Sequence, residues 1–181
     1  MGVNKCNYQI DFKQRRIQDE FWTPFQKLVK NVVVPYQQAV LEDKIEGVEK
    51  SGAIQNFRIA AGLAEGDFYG MVFQDSDVAK WLEAVAYSLE LEPNTELEAY
   101  ADEIIEIIGK AQQPDGYLNT YFTIKDPDRR WQNFQECHEL YCAGHMIEAA
   151  VAYYEATGKK KFLTIVQSNF TAQQAKPGIG I

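Results

Sequence analysis

Two stretches of the sequence decide the fold: "LEAVAYSLELEPNTEL" at residues 82–97 and "IEAAVAYYEATGKKKFL" at residues 147–163. Both have an apolar-Glu-Ala start, an Ala-Tyr step, an acidic end, a short turn and a new apolar helix start. They lie about 65 residues apart, which is too long for the common short solenoid repeats but suits helix pairs separated by substantial loops. No convincing run of alternating residues predicts a strand. We therefore expect an all-α fold, a toroid or solenoid of stacked helical hairpins.

Capping residues and prolines mark the helices outside this repeat. Thr23 is a suitable N-cap, Pro24 suits the first turn and Gln26 completes a capping box, so a helix is predicted from about residue 24. Pro35 is expected to kink or end that helix, because proline has no backbone N–H. Residues 55–65 are a shorter helical candidate.

The hairpin of the first stretch turns at "PN", residues 93–94, with Thr95 as the predicted N-cap of the returning helix. Gly158 is the predicted C-cap of the later helix. Past Leu163 the apolar pattern fails. We assign residues 1–166 to a truncated toroid of helical hairpins and residues 167–181 to an irregular tail. The predicted helices are too few to close a toroid, and uncovered apolar helix faces favour self-association.

Composition and charge limit the classes of partner. Hydrophobic residues make up 46% and charged residues 24% of the chain, which is typical of a globular protein. The formal net charge of −8 argues against nucleic acid and anionic lipid, since both are bound through Lys and Arg. There is no apolar run suited to a signal peptide or a membrane span. An odd number of cysteines, Cys6, Cys137 and Cys142, indicates reduced thiols, so we expect a cytoplasmic protein.

The helix predicted within residues 135–158 holds both histidines. If it is regular throughout, His138, Cys142 and His145 lie within about 60° of one another on one face. Three interpretations remain open: satisfied core or surface groups, a zinc site, or a hydrogen-bonding wall for a polar ligand. The zinc interpretation is disfavoured, because ligands seven residues apart on one helix are about 10 Å apart along its axis.

The acidic stretch "QDSD" at residues 74–77 offers a second candidate site. Asp77, or Ser76 before it, is most simply the N-cap of the following helix. Alternatively, Asp75 and Gln74 face a cavity at the mouth of that helix and contact a polar ligand. A pair of carboxylates could serve acid/base catalysis, but the sequence reveals no desolvating pocket around them.

Four ordered motifs resemble the N-terminal part of the β-L-arabinofuranosidases of glycoside hydrolase family 127. The motifs are "FWTPFQKLVKNVVVPYQ" (21–37), "GMVFQDSDVAKWLEAVAY" (70–87), "AQQPDGYLNTYF" (111–122) and "HELYCAGHMIEAAVAYYEATG" (138–158). The resemblance extends over roughly residues 8–166. It implies part of an (α/α)6 barrel and a parent enzyme that hydrolyses an arabinofuranoside or related glycoside with retention, using a zinc-bound cysteine thiolate as nucleophile and a glutamate as acid/base.

The resemblance also implies what this chain does not contain. The family's nucleophile, zinc ligands and acid/base glutamate belong to the later half of the barrel, so no catalytic residue, metal ligand or cofactor is expected here, and Cys137 and Cys142 do not take those roles. His138 is implied to line the subsite for the terminal sugar. We expect an inactive fragment of a glycoside hydrolase that carries part of the sugar-binding wall, with His138, Asp75 and Gln74 as substrate-binding residues. The rival hypothesis is a non-catalytic helical-repeat module that binds a protein partner.

Overall fold

A computed structural model describes residues 17–174, and helices are the only regular secondary structure within that range. The all-α prediction is therefore confirmed. The helices are α1 (Trp22–Leu28), a π-helical turn (Val29–Val33), α2 (Val34–Leu41), α3 (Ala53–Ala60), α4 (Asp75–Leu91), α5 (Thr95–Ala111), α6 (Thr120–Ile124), a 3-10 turn (Pro127–Arg129), α7 (Glu139–Thr157) and α8 (Lys161–Gln174).

The repeated hairpins pack side by side in two layers. Helix α4 packs along its length against α7, and the two run parallel, since Lys80 in the second turn of α4 reaches Tyr141 in the first turn of α7. Helices α5 and α8 form the second layer and also run parallel. Gln112, at the end of α5, donates from Nε2 to the backbone oxygen of Ile165 at 2.8 Å. The sequence repeat therefore corresponds to a structural repeat, in which the hairpin α7–α8 has the same arrangement as the hairpin α4–α5.

Small side chains allow the close approach of α4 and α7. Ala79 and Ala86 are buried in α4, and Ala143, Ala149 and Ala150 are buried in α7. Alanine leaves little volume between two helix backbones, so extensive contact along both helices is possible.

The N-terminal helix differs from the prediction at its start and at its proline. Phe21, not Thr23, is the N-cap of α1, and Oδ1 of Asp19 accepts from the backbone N–H of Phe21 at 2.9 Å and from that of Trp22. The helix does not end at Pro35. The α-helical pattern gives way to the π-helical turn just before Pro35, and α2 continues to Leu41 with Pro35 as its second residue.

Three other helix ends differ from the prediction. Helix α4 begins at Asp75, so Ser76 and Asp77 lie within its first turn and neither is the N-cap. Asn94, not Thr95, caps α5 by accepting from the N–H groups of Glu96 and Leu97. Helix α8 continues through residue 174, so residues 167–174, assigned to an irregular tail, are helical. The rest of that tail, 175–181, lies outside the described residues. The C-cap predicted at residue 158 is present.

Trp81 joins three helices at the centre of the core. Its side chain is 2% exposed, and its Nε1 donates to the backbone oxygen of Val34 in α2 at 3.1 Å. Its ring also meets that of Tyr100 in α5 edge-on, with the centroids 5.6 Å apart. Because a buried indole N–H needs a partner, this contact fixes α2 against α4.

Helices α1 and α2 present an apolar surface that nothing in the described part of the chain covers. We call it the N-terminal stripe; it consists of Ile17, Phe21, Trp22, Phe25, Leu28, Val29, Val32 and Tyr36, all about half exposed. A contiguous apolar surface of this kind favours association. None of the helices between residues 17 and 174 combines the length and apolar character needed to cross a bilayer.

We predict that the chain self-associates through the N-terminal stripe. Light scattering should give a mass above the 20.7 kDa of one chain. The double substitution Phe25→Ser and Leu28→Ser should shift the mass toward that of one chain, because it removes two large apolar groups from the stripe.

The matched control is Leu63→Ser, which changes an equally exposed leucine outside the stripe and should leave the mass unchanged. A native chain that remains a stable, compact monomer at all concentrations would contradict the prediction.

Candidate functional site

His138 lies at the junction between a loop and α7, and this position sets the direction of its ring. It is the N-cap of α7 and has φ 54° and ψ 27°, in the left-handed region. The sequence predicted that His138 extends the helical face of Cys142 and His145. The structure shows that it does not, because His138 lies outside the regular helix. Its Nδ1 lies 2.8 Å from the backbone oxygen of Glu136. Because a carbonyl oxygen only accepts, this contact requires a proton on Nδ1 and leaves Nε2 of the neutral ring as an acceptor.

Four rings form what we call the aromatic ladder: Phe73, His138, Tyr141 and His145. The centroid of His138 is 5.4 Å from that of Phe73 and 5.7 Å from that of Tyr141, both edge-on. Tyr141 and His145 are 4.6 Å apart, also edge-on. The partly exposed imidazole of His138 is thus held between two rings, in a geometry that aromatic pairs favour.

Lys80 connects the ladder to α4. Its Nζ donates to the hydroxyl of Tyr141 at 2.9 Å and to Oγ of Ser76 at 3.1 Å, and it lies 3.9 Å from Oδ1 of Asp77. The ammonium group is therefore fixed by three neighbours at the boundary of the two helices. It is a donor for a ligand that approaches from α4 or from α7.

Beside Lys80 is a cleft of about 540 Å³ between α2, the segment 49–51 and the start of α4. It is lined by Tyr36, Gln37, Val40, Leu41, Glu49, Lys50, Ser51, Gln74, Asp77, Lys80 and Trp81. This volume suits a small ligand, and the mixture of hydroxyl, amide, carboxylate and ammonium groups suits one rich in hydroxyls.

Gln74 lies in the wall of this cleft, where the sequence placed it. Its Oε1 accepts from the N–H of Met71 at 3.1 Å, and its Nε2 donates to Oγ of Ser51 at 3.2 Å and to Oδ2 of Asp77 at 3.0 Å. A side chain at Gly70 would come within 2.7 Å of that Oε1. Gln74 therefore fixes the orientation of two other cleft residues, and this arrangement needs a glycine at position 70.

Asp75 does not face the cleft, and the prediction that it contacts a ligand with Gln74 is corrected. Its side chain is 3% exposed, and its carboxylate accepts from the backbone N–H of Thr120 at 2.8 Å and from the Thr120 hydroxyl. Residues 74 and 75 differ by 100° around a helix, so one points outward when its neighbour points inward. Asp75 holds the start of α6 against the start of α4.

The thiols do not fit a metal site. Cys142 is buried between α4 and α7, and burial raises the pKa of its thiol, which disfavours the thiolate that zinc requires. Burial also raises the pKa of Cys137. Between residues 17 and 174 no group of three or more His, Cys, Asp and Glu side chains could hold a metal ion. Cys6 lies outside the described residues.

Sequence reasoning missed Lys80 and Tyr141. Their helical spacing contained a usable signal, because Lys80 lies one turn after Ser76 and Tyr141 lies one turn before His145. Their contact with each other could not be predicted, since it joins residues 61 positions apart. Phe73 belongs to the ladder, whereas Tyr117 and Trp131 pack on each other.

Known proteins share both the sequence and the fold of this chain. Residues 15–176 match the family model described as "Beta-L-arabinofuranosidase, GH127 catalytic domain". The chain is 40% identical over 183 aligned residues to the non-reducing end β-L-arabinofuranosidase of Bifidobacterium longum subsp. longum, covering 88% of this chain and 28% of that protein. The predicted resemblance is therefore confirmed.

Two solved structures have the same arrangement of helices. A GH127 β-L-arabinofuranosidase from Geobacillus stearothermophilus T6 is 57% identical with a TM-score of 0.89, covering 91% of this chain and 26% of that one. A second GH127 β-arabinofuranosidase is 35% identical with a TM-score of 0.82, covering 94% and 27%. The partial-barrel prediction is confirmed, and the chain spans about a quarter of the length of these relatives.

We predict that Asp75 makes the stability of the chain depend on pH. Burial raises the pKa of Asp75 from 3.8 to about 6. The folded chain then binds this proton more tightly than the unfolded chain, so its contribution is greatest below about pH 4 and is lost as the pH rises through 6. A shift of about two pKa units corresponds to at most about 3 kcal/mol.

Asp75→Asn keeps the shape of the side chain and removes the titration. The difference in unfolding free energy between native chain and variant, measured by urea denaturation from pH 4 to pH 7, should fall as the pH rises. Asp67→Asn, at an exposed aspartate, is the control and should give a difference that does not change with pH. A constant difference for Asp75→Asn as well would show that the carboxyl group does not titrate in this range.

Proposed function

The chain belongs to the GH127 β-L-arabinofuranosidase catalytic-domain family, and on that premise we propose that it supplies one wall of the sugar-binding cavity of a glycoside hydrolase. The carrying observation is that Lys80 joins the cleft beside α4 to the aromatic ladder on α7, so one continuous surface contains both. This surface provides the three kinds of contact that a furanose needs.

The first two kinds are polar. Nε2 of His138 accepts a hydrogen bond, and the ammonium group of Lys80 donates one. One sugar hydroxyl can therefore donate to His138 while a neighbouring hydroxyl accepts from Lys80. Asp77 adds a carboxylate acceptor at the cleft, half-buried beside Lys80. The third kind is apolar: ring edges and faces of Phe73 and Tyr141 pack against the C–H groups of a sugar.

The substrate class follows from the relatives. The Bifidobacterium protein is named for action on a non-reducing end β-L-arabinofuranoside. We assign a terminal β-L-arabinofuranosyl group as the ligand of this wall, with His138, Gln74 and Lys80 as the binding residues. Gln74 acts by holding Ser51 and Asp77 in place.

The chain has no catalytic residue, zinc ligand or cofactor of its own in this proposal, and alone it is inactive. Its two most buried carboxylates, Asp75 and Glu139, already accept hydrogen bonds from protein donors. The buried thiol of Cys142 is disfavoured as a nucleophile, since burial raises its pKa. The chemistry would therefore come from the remaining part of the barrel that the relatives possess.

A second candidate function is a non-catalytic helical-repeat module that binds a protein. The N-terminal stripe favours it, because eight large apolar side chains are exposed along one helical surface. The stripe and the proposed sugar wall share Tyr36, but Phe25 and Leu28 belong to the stripe alone, so substitutions at these two residues can separate the two functions.

We predict that His138→Ala weakens binding of methyl β-L-arabinofuranoside at least tenfold, measured by saturation-transfer NMR titration. The reason is the loss of the acceptor Nε2 and of a ring between Phe73 and Tyr141. Tyr154→Ala is the matched control, because it removes an exposed aromatic ring from the far end of the same helix and should leave affinity unchanged. Circular dichroism should show equal helicity in both variants. Equal affinity of His138→Ala and the native chain would favour the protein-binding module.

We also predict that the chain releases no arabinose from p-nitrophenyl β-L-arabinofuranoside, with or without added zinc, since in this proposal the catalytic residues belong to the remaining part of the barrel. Any zinc-dependent release above that of a heat-denatured sample would overturn the proposal of an inactive fragment.

A further inference from the structure

Glu139 is the first residue of α7 and follows His138 directly, yet it points into the protein. Its side chain is only 2% exposed. Its Oε1 accepts from the hydroxyl of Tyr117 at 2.6 Å, and its two oxygens lie 3.1 and 2.9 Å from the backbone N–H of Trp131. A buried carboxylate with this many donors is a strong tie between distant parts of a chain.

The residues at both ends of the loop 131–138 have unfavourable backbone conformations. Trp131 has φ 65° and His138 has φ 54°, and they are two of the three non-glycine residues with positive φ among those that the structure describes. Such a conformation is unfavourable for a residue with a Cβ and persists only where surrounding contacts enforce it. Glu139 contacts the first of these residues and adjoins the second.

Inside the loop, backbone and side-chain contacts carry this constraint to the imidazole. The N–H groups of Glu136 and Cys137 both donate to Asn133, to its side-chain and backbone oxygen respectively, at 3.1 Å. The backbone oxygen of Glu136 in turn lies 2.8 Å from Nδ1 of His138. The loop is thus held together by its own hydrogen bonds, and the backbone oxygen of Glu136 orients the His138 ring.

Below the loop, Tyr117 is itself held in place. The guanidinium of Arg130 lies over its ring, 4.3 Å from the centroid, and the Trp131 ring meets it edge-on at 5.0 Å. Arg130 also lies 3.8 Å from Oδ2 of Asp115. Tyr117 and Trp131, the donors to Glu139, are therefore held in place by their own contacts. The Glu139 carboxylate links these two residues to α7.

We propose that Glu139 is a positioning residue that closes the loop 131–138 and thereby fixes the tautomer and orientation of the His138 imidazole. The role of that imidazole in binding sugar rests on the proposed function, whereas the closing of the loop does not. An uncharged amide at position 139 cannot replace the carboxylate, because its NH₂ group would face a donor where the second oxygen now accepts.

The chain has two histidines, so its NMR spectrum contains only two sets of imidazole signals, which are easily assigned. Long-range ¹H–¹⁵N spectra of the native chain should show His138 in a single tautomer with the proton on Nδ1. In Glu139→Gln we expect His138 to give averaged ¹⁵N shifts of a mixture of tautomers, while His145 remains unchanged. Glu155→Gln, the same change at an exposed position of α7, is the control and should leave both histidines unchanged.

Tyr117→Phe provides a milder version of the same test, because it removes one donor and leaves the Trp131 contact. It should move the His138 signals in the same direction by a smaller amount. If Glu139→Gln fails to fold, as judged by circular dichroism, Tyr117→Phe decides alone. Native His138 signals in whichever folded variant is measured would overturn the proposal.

Sugar affinity separates this inference from the proposed function. Glu139→Gln should weaken binding of methyl β-L-arabinofuranoside about tenfold. A native chain that binds no arabinofuranoside would contradict the proposed function, and the His138 spectra would still decide whether Glu139 closes the loop.

Discussion

The close parallel packing of α4 against α7 is the constraint on which the rest of the structure depends. Five alanines of these two helices, at 79, 86, 143, 149 and 150, are buried, and the first turns of α4 and α7 lie side by side. Lys80 can reach Tyr141 only because of this proximity. The cleft beside α4 and the aromatic ladder on α7 therefore become one surface, and the return helices α5 and α8 form a second layer behind it.

Corresponding carboxylates secure the start of each of these two helices. Asp75 is the first residue of α4 and Glu139 is the first residue of α7, and both are buried. Asp75 accepts from Thr120, and Glu139 accepts from Tyr117 and Trp131. A negative group at a helix N-terminus is favoured by the helix dipole, which offsets part of the cost of burial. The long connection between α5 and α7 is thus tied to both helices.

Polar contacts and a shared core hold the described helices together. The hydrogen bonds of Asp75 and Glu139 join segments within the chain. The Trp81 side chain packs against Tyr100 of α5 and donates to the backbone oxygen of Val34 in α2. The N-terminal stripe and the exposed face of α7 at Leu140, Val151 and Tyr154 are the surfaces that lack cover in the described residues. Local polar contacts hold the cleft and the aromatic ladder in place even where the apolar packing is open.

The sequence by itself determined the helical class, the α4–α5 and α7–α8 repeat and the family, because apolar periodicity and ordered motifs depend only on the order of residues. It did not determine the direction of His138, because periodicity assumes a regular helix and this residue is left-handed at the helix start. The sequence likewise did not show that Asp75 is buried whereas Gln74 lines the cleft, and it did not identify Lys80 or Glu139 as residues of interest. Only the tertiary structure decided these points, since burial and the contacts among residues 75, 80, 120, 131 and 141 depend on how distant segments pack.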